Sequence, residues 1–275
     1  MKTIFKVLLI ATLFAYSNIF AQEYTLSIQP TLSKEETIKS YQPLADYLSK
    51  ETGHKIKIKA YRNFFTYWQK MKSEKNFDFV LDAAHFTDYR IVEKNYSVLA
   101  KIPNTISFSI VTRNDVFIFD TDELVLEKIA TTPSPSLGGI RLYEIFQNPA
   151  RLPIQVTVHD TSEAVKAIAD GKVLAAIIPT PLVSNYDYLN TVMTTTPVPH
   201  MAFSASSKVP EEVKNDIKNA LIQADNSEDG RIMLGKVKSE KFEKTSAKDY
   251  AGYSKLLKGL FGYVPSEEQV SQIGI

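Results

Sequence analysis

The sequence predicts an α/β fold of two lobes with a ligand cleft between them. Three observations predict it. Strand-like and helix-like runs alternate from residue 24 to residue 92; the same layout returns between residues 128 and 178; and the second series starts with a strand-to-helix turn, residues 131–139, made of Thr, Ser, Pro and Gly. Residues 24–28 alternate and read as a strand that ends at Gln29 and Pro30. Ser33 and Glu36 form a capping box for a helix whose face carries Ile38, Tyr41, Ala45 and Leu48, with Pro43 predicting a kink or second start and Gly53 the stop. Residues 54–60 alternate apolar and basic, a strand with one wet face, and His54 reads as a surface residue of the turn before it. Asn63 opens a helix over 64–72, with Phe64, Phe65, Tyr67 and Trp68 at its start; two of these aromatics are expected in the lobe core and the others on the cleft. Residues 77–81 read as a buried strand, and 82–86 lead into a helix towards Val92.

Further strands are expected at 98–102, 108–112, 128–131, 155–158 and 174–178, and a helix over 162–170 that Gly171 terminates. Pro210 starts a helix to Ala224, and residues 230–262 read as a mostly helical tail that packs back on the first half. In parallel α/β sheets ligands sit beyond the carboxyl ends of the strands. Those ends nominate Thr31, Asn63, Tyr67 and His85 from the first half. From the second half they nominate Ser134, Ser136, Gly138 and Gly139 in the central turn, then Thr161 and Thr180. The central turn is the strongest candidate, because a helix start leaves N–H groups unpaired and glycines let a ligand reach them. The plainer reading is that its serines cap the helix and its glycines make the turn.

Composition narrows the class. Two lysines, an apolar run over 7–15 and Ala21 predict a signal peptide over residues 1–21, although Ile19 leaves the cut's position open. No later apolar run approaches that length, which predicts an exported, soluble chain, and the lack of cysteine argues against a lipoprotein and against disulfides. Without Lys2 and Lys6, 30 basic side chains face 31 acidic ones, and nothing suggests a nucleic-acid surface. His85, His159 and His200 lie in candidate loops, but their spacing matches no standard metal pattern, so neither metal nor cofactor is expected. No glycine-flanked serine nucleophile and no paired carboxylates in one loop are visible, which argues against an enzyme. Asp82 reads as a helix cap rather than as an acid–base partner of His85, and Arg62, Arg90 and Arg141 read as solvent-facing.

Residues 41–48 with Glu51, Thr52 and Gly53, then 77–80, the helix before Gly171, residues 201–210 and the tail from Gly230 through Tyr250 to Leu257 together resemble the phosphate/phosphite/phosphonate-type periplasmic binding proteins of ABC importers. The resemblance covers nearly the whole mature chain. It implies a type II periplasmic binding protein fold, with lobe 1 built from 22–107 and a C-terminal return over 198–275, and lobe 2 from 108–197. It implies a monomer in the periplasm that closes on a small-molecule ligand, a phosphorus oxyanion, and presents it to an inner-membrane permease. The ligand turn departs from the family. Phosphonate binders begin this helix with consecutive Ser and Thr hydroxyls, whereas here Pro135 has no N–H and Leu137 no hydroxyl. The family's histidine falls on Thr161, with His159 two places earlier, and an aromatic hydroxyl expected near Phe64 is absent, although Tyr61 and Tyr67 are close. These departures keep a second reading open, a periplasmic sensing domain that partners a membrane kinase or cyclase and takes a non-phosphorus ligand.

Overall fold

A computed structural model describes residues 22–73 and 77–264; the expected signal peptide lies outside these residues. The chain forms β1 (Glu23–Ile28), α1 (Lys34–Thr52), β2 (Lys55–Lys59), α2 (Phe64–Ser73), β3 (Phe79–Asp82), α3 (Ala84–Lys94), β4 (Tyr96–Lys101), β5 (Thr105–Ile106) and β6 (Phe108–Arg113). It continues through β7 (Lys128–Thr131), α4 (Leu137–Ile145), β8 (Ile154–Thr157), α5 (Thr161–Ala169), β9 (Ala175–Pro179) and β10 (Leu189–Thr194). It ends with β11 (Val198–Pro199), β12 (Ala202–Ser206), α6 (Glu211–Ile222), α7 (Glu228–Lys236) and a series of short 3-10 turns.

Two five-stranded sheets result. The first has the order β2-β1-β3-β12-β4, with β1 parallel to β2 and β3, and β12 antiparallel to both β3 and β4. The second has the order β10-β6-β9-β7-β8, parallel at β7, β8 and β9 and antiparallel where β6 meets β9 and β10. The chain leaves the first sheet through β5 and returns through β11, and these two crossings pair as a short antiparallel ribbon, Ile106 opposite Val198. Two crossings bound together leave bending as the easy relative motion of the lobes.

The first lobe is centred on Leu26, Ile28, Leu44, Leu48, Phe79, Phe203, Ile217 and Leu221, all buried. α1 starts on the expected capping box, the Glu36 N–H donating to Ser33 Oγ at 3.2 Å. It runs through Pro43 as one helix, because Leu44, Ala45 and Leu48 on the following turns are locked against the sheet. Its buried face is rotated from the expected one: Tyr47 is inside and Ile38 is exposed. His54 is half-buried rather than on the surface, its ring edge-on to Tyr24. The tail returns to the first lobe: α7 packs on α1, with Lys50 ion-paired to Asp229, and the Ser254 N–H donates to Asp88 Oδ2 at 2.7 Å on α3. Among the described residues no helix is long and apolar enough to cross a membrane.

Candidate functional site

The turn from β7 into α4 is built tightly. Ser136 is the N-cap of α4; its Oγ accepts from the Gly139 N–H at 3.0 Å and from Thr132 Oγ1 at 2.9 Å, and donates to the Thr132 carbonyl at 2.7 Å. Those three bonds satisfy the hydroxyl, so Ser136 holds the turn. Gly139 is required by close approach: a Cβ there would lie 2.6 Å from Ser134 N and 2.7 Å from the Thr132 carbonyl oxygen. At Gly138 the atoms nearest a Cβ would belong to side chains, the edge of the Phe108 ring at 3.3 Å and Thr132 Oγ1 at 3.6 Å.

α4 belongs to the second sheet's lobe but packs on the first. Leu137 is buried in a cluster with Ala83, Ala84, Val198, Ala202 and Tyr250. Ile140 joins the aromatic cluster of Tyr61, Phe64, Tyr67, Trp68 and Phe86. The small residues Ala83 and Ala84 let the starts of α3 and α4 come together, and the lobes are closed on each other. Ala83, the N-cap of α3, supplies no side-chain acceptor to that helix start.

His85 spans this junction. It is fully buried, and its Nε2 lies 3.0 Å from the Pro135 carbonyl oxygen on the opposite lobe. A carbonyl only accepts, so Nε2 carries the hydrogen. Burial, with the nearby Arg141 charge adding to it and the Pro135 bond opposing it, pushes the imidazole pKa down to about 3. The ring is therefore neutral and Nδ1 is a bare lone pair. Arg141 is also buried rather than in solvent. Its guanidinium pairs with Glu144 and donates to the Thr196 carbonyl at 2.8 Å. Seven buried side-chain polar atoms lack a hydrogen-bond partner among the described residues, and three of them belong to this junction: His85 Nδ1, Ser134 Oγ and Arg141 Nε. Unpaired polar atoms in a protein interior are costly, so each of the three has hydrogen-bonding capacity left for a further partner.

The remaining nominated residues make other contacts. The Tyr67 hydroxyl donates to Asp82 Oδ2 at 2.7 Å and accepts from an Arg90 terminal nitrogen at 2.9 Å, while Arg90 Nε donates to the same carboxylate oxygen at 2.9 Å. Asp82 thus neither caps α3 nor pairs with His85, and Arg90 is buried in an ion pair rather than exposed. Three of the four aromatics at the start of α2 are buried, and only Phe65 is exposed. Asn63 Oδ1 accepts from the Thr66 N–H at 2.8 Å, a cap for α2. Thr31 is exposed, its N–H bonded to the Gln29 carbonyl. Thr161 begins α5 behind Asp160, whose carboxylate caps the helix, and His159 beside it is exposed. With its own carboxylate in place, that helix start is a poor anion site. Thr180 lies in a hydroxyl chain beside the crossing segments, with Ser107 and Ser109 each 2.9 Å from its Oγ1 and Thr194 2.9 Å beyond Ser109.

Reading the sequence alone did not nominate Gln29, whose Oε1 accepts from the Ala83 N–H at 2.9 Å and fixes the start of α3, or the Pro135 carbonyl. No local pattern announces either contact. Among the described residues no group of three or more His, Cys, Asp or Glu is placed to hold a metal ion. Two open surface concavities, each about 410 Å³, one lined by Arg113, Lys128 and Lys172 and the other by Leu32, Lys236 and Lys238, lie away from this junction, as does a third of about 310 Å³ beside Arg90 and Tyr96.

Residues 26–250 match the profile of a family described as ABC transporter, phosphonate, periplasmic substrate-binding protein. No curated protein matches the sequence. Among solved structures, the chain is similar to PhnD1 from Prochlorococcus marinus in complex with methylphosphonate, with a TM-score of 0.73 at 13% identity over 86% of this chain and 97% of that one. A binding protein component of an ABC phosphonate transporter from Pseudomonas aeruginosa aligns with a TM-score of 0.72 at 13% identity, covering 92% and 93% of the two chains. A Xanthomonas citri protein bound to ATP aligns at 0.68 and 12% identity, covering 86% and 98%. At these identities the likeness establishes the fold, the two-lobed periplasmic binding protein fold.

Proposed function

The chain belongs to the family of ABC transporter phosphonate periplasmic substrate-binding proteins, which bind substrate without transforming it, and from that premise we propose that it captures a small phosphorus oxyanion at the junction of α3 and α4. The observation that carries this reading is the group of unpaired buried atoms there. Ser134 Oγ–H and Arg141 Nε–H are free donors, and the first N–H groups of α4 add the positive end of the helix dipole. An oxyanion supplies acceptor oxygens for all of them, and the Arg141 guanidinium, held by Glu144 and the Thr196 carbonyl, keeps its Nε–H to offer. Entry requires the lobes to part. The His85–Pro135 bond and the Leu137 and Ile140 contacts would then release, with bending at the β5–β11 ribbon.

In this reading the lobes comprise residues 22–107 with 198–275, and 108–197. The mature chain is a periplasmic monomer, released by cleavage after Ala21, and the closed form is read by an inner-membrane permease. Calorimetric titration of residues 22–275 with methylphosphonate, phosphite and phosphate tests the site. One of them binds at unit stoichiometry, and Ser134→Ala and Arg141→Met each weaken it by about 10- to 100-fold, the worth of a hydrogen bond to a charged group. If no phosphorus oxyanion binds, or if both variants bind as the wild type does, the site is misplaced. Intact mass of the exported protein checks the cleavage.

A further inference from the structure

The donors at the junction suit any tetrahedral oxyanion; His85 does not. Its Nε2–H is committed to Pro135, so the atom left to a ligand is Nδ1, an acceptor. A fully deprotonated oxyanion has only acceptor oxygens, and placing one against the Nδ1 lone pair sets two acceptors face to face in a buried site. Burial and the Arg141 charge both oppose protonation of the ring, which favours a ligand that supplies the hydrogen itself.

Resting on the oxyanion reading above, we propose that His85 is a specificity-determining residue whose Nδ1 accepts a hydrogen bond from a ligand O–H, so that the site takes singly protonated phosphorus oxyanions and rejects sulfate. The donor and acceptor sets then match. A methylphosphonate monoanion offers two bare oxygens to Ser134, Arg141 and the α4 N–H groups, and one P–O–H to His85. Sulfate is similar in shape and carries no hydrogen at neutral or mildly acidic pH. Sites that hydrogen-bond a substrate hydroxyl discriminate steeply against analogues that lack it.

The test is calorimetric competition between methylphosphonate and sulfate in mildly acidic buffer, on the mature protein and two variants. Wild type prefers methylphosphonate by at least about 100-fold. His85→Asn places an amide near the Nδ1 position that can turn its NH2 towards the ligand, and the preference falls by about tenfold or more, an amide hydrogen bond's worth. His85→Gln retains a donor for Pro135 and removes the Nδ1 lone pair, so it too loses preference while its melting temperature stays near the wild type. Reading the ratio of affinities cancels any effect of either variant on lobe closure. Equal binding of sulfate and methylphosphonate by the wild type overturns the proposal and leaves the oxyanion site standing. An unchanged ratio in both variants overturns it as well. Binding of neither anion overturns the site and this proposal together.

Discussion

Replacing Gly139 by alanine tests whether the turn into α4 is as tight as the structure shows. The new Cβ would sit 2.6 Å from Ser134 N, 2.7 Å from the Thr132 oxygen and 3.0 Å from the Pro133 carbonyl carbon, where ordinary contact begins at 3.4 Å. All three neighbours are backbone, so no rotamer change relieves the overlap. The turn itself must retreat, which carries Ser134 and the Ser136 cap with it. Overpacking of this kind costs about 1–3 kcal/mol. Alanine returns up to about 1 kcal/mol through its helix propensity. With that full return the net loss is about 0–2 kcal/mol, and because any alanine at this helix start shares the return, the loss relative to such a variant is about 1–3 kcal/mol. Gly138→Ala is the control on the adjacent residue: the atoms nearest its Cβ are side chain and not backbone, the Phe108 ring edge at 3.3 Å and Thr132 Oγ1 at 3.6 Å, and the same propensity gain leaves it near neutral. Urea unfolding of wild type and both variants measures the difference. If Gly139→Ala is as stable as Gly138→Ala within about 0.5 kcal/mol, the size of ordinary surface substitutions, the packing argument is wrong.

Three further outcomes follow from contacts described above. Arg90→Met leaves the Asp82 carboxylate buried beside Tyr67 without its cation, and should cost about 3–5 kcal/mol; adding Asp82→Asn should recover part of the loss, and strictly additive denaturation energies would contradict the ion pair. His85 stays neutral in the folded protein down to about pH 3 but takes a proton near pH 6.5 once unfolded. Stability is thus intact above pH 6.5 and falls as pH drops towards 3, by about 1.4 kcal/mol per pH unit for this one proton. His85→Gln should flatten the slope between pH 5 and 6, and an equal slope in the variant rules the argument out; His200, lowered to about 4 by burial with Lys101 adding, keeps some slope in both. Ile140→Asp sets a charge into the cluster around Trp68 and should part the lobes. A larger radius of gyration and easier quenching of Trp68 would be seen together, and an unchanged scattering profile would show that Ile140 does not hold the closure.

Much of the fold could be read in advance because it is local. The Ser33–Glu36 box, the stop at Gly53 and the alternating strands each follow from a few adjacent residues, and the structure realises them. The central turn was legible as a turn for the same reason. What its parts do was not. Ser136 and Ser134 sit two residues apart with the same hydroxyl, yet one is satisfied by Thr132 and Gly139 and the other is not. Arg90 and Arg141 read as surface charges because their partners, Asp82 on the preceding strand and the Thr196 carbonyl on the return crossing, are brought to them only by the packed fold. His85 was nominated from its place at a strand end. Its tautomer depends on a carbonyl 50 residues away in the other lobe. Long-range pairing decides burial, and burial decides what a polar side chain can do.

The position of β12 has a consequence for how the molecule assembles. β12 lies between β3 and β4 and pairs with both, so those two strands have no direct bond to each other in the first sheet. During synthesis β4 is complete at residue 101, but the strand that joins it to β3 arrives only at residue 202. Every strand of the second sheet lies between residues 108 and 194, inside that interval. The later lobe can therefore finish first, while the earlier one waits with two open edges and a long loop to close. A fragment spanning 108–197 should unfold cooperatively by itself, whereas 22–107 should stay unfolded until a separate 198–275 chain is added. Cooperative melting of 22–107 alone would show that the inserted strand is a late ornament and not the piece that completes the sheet.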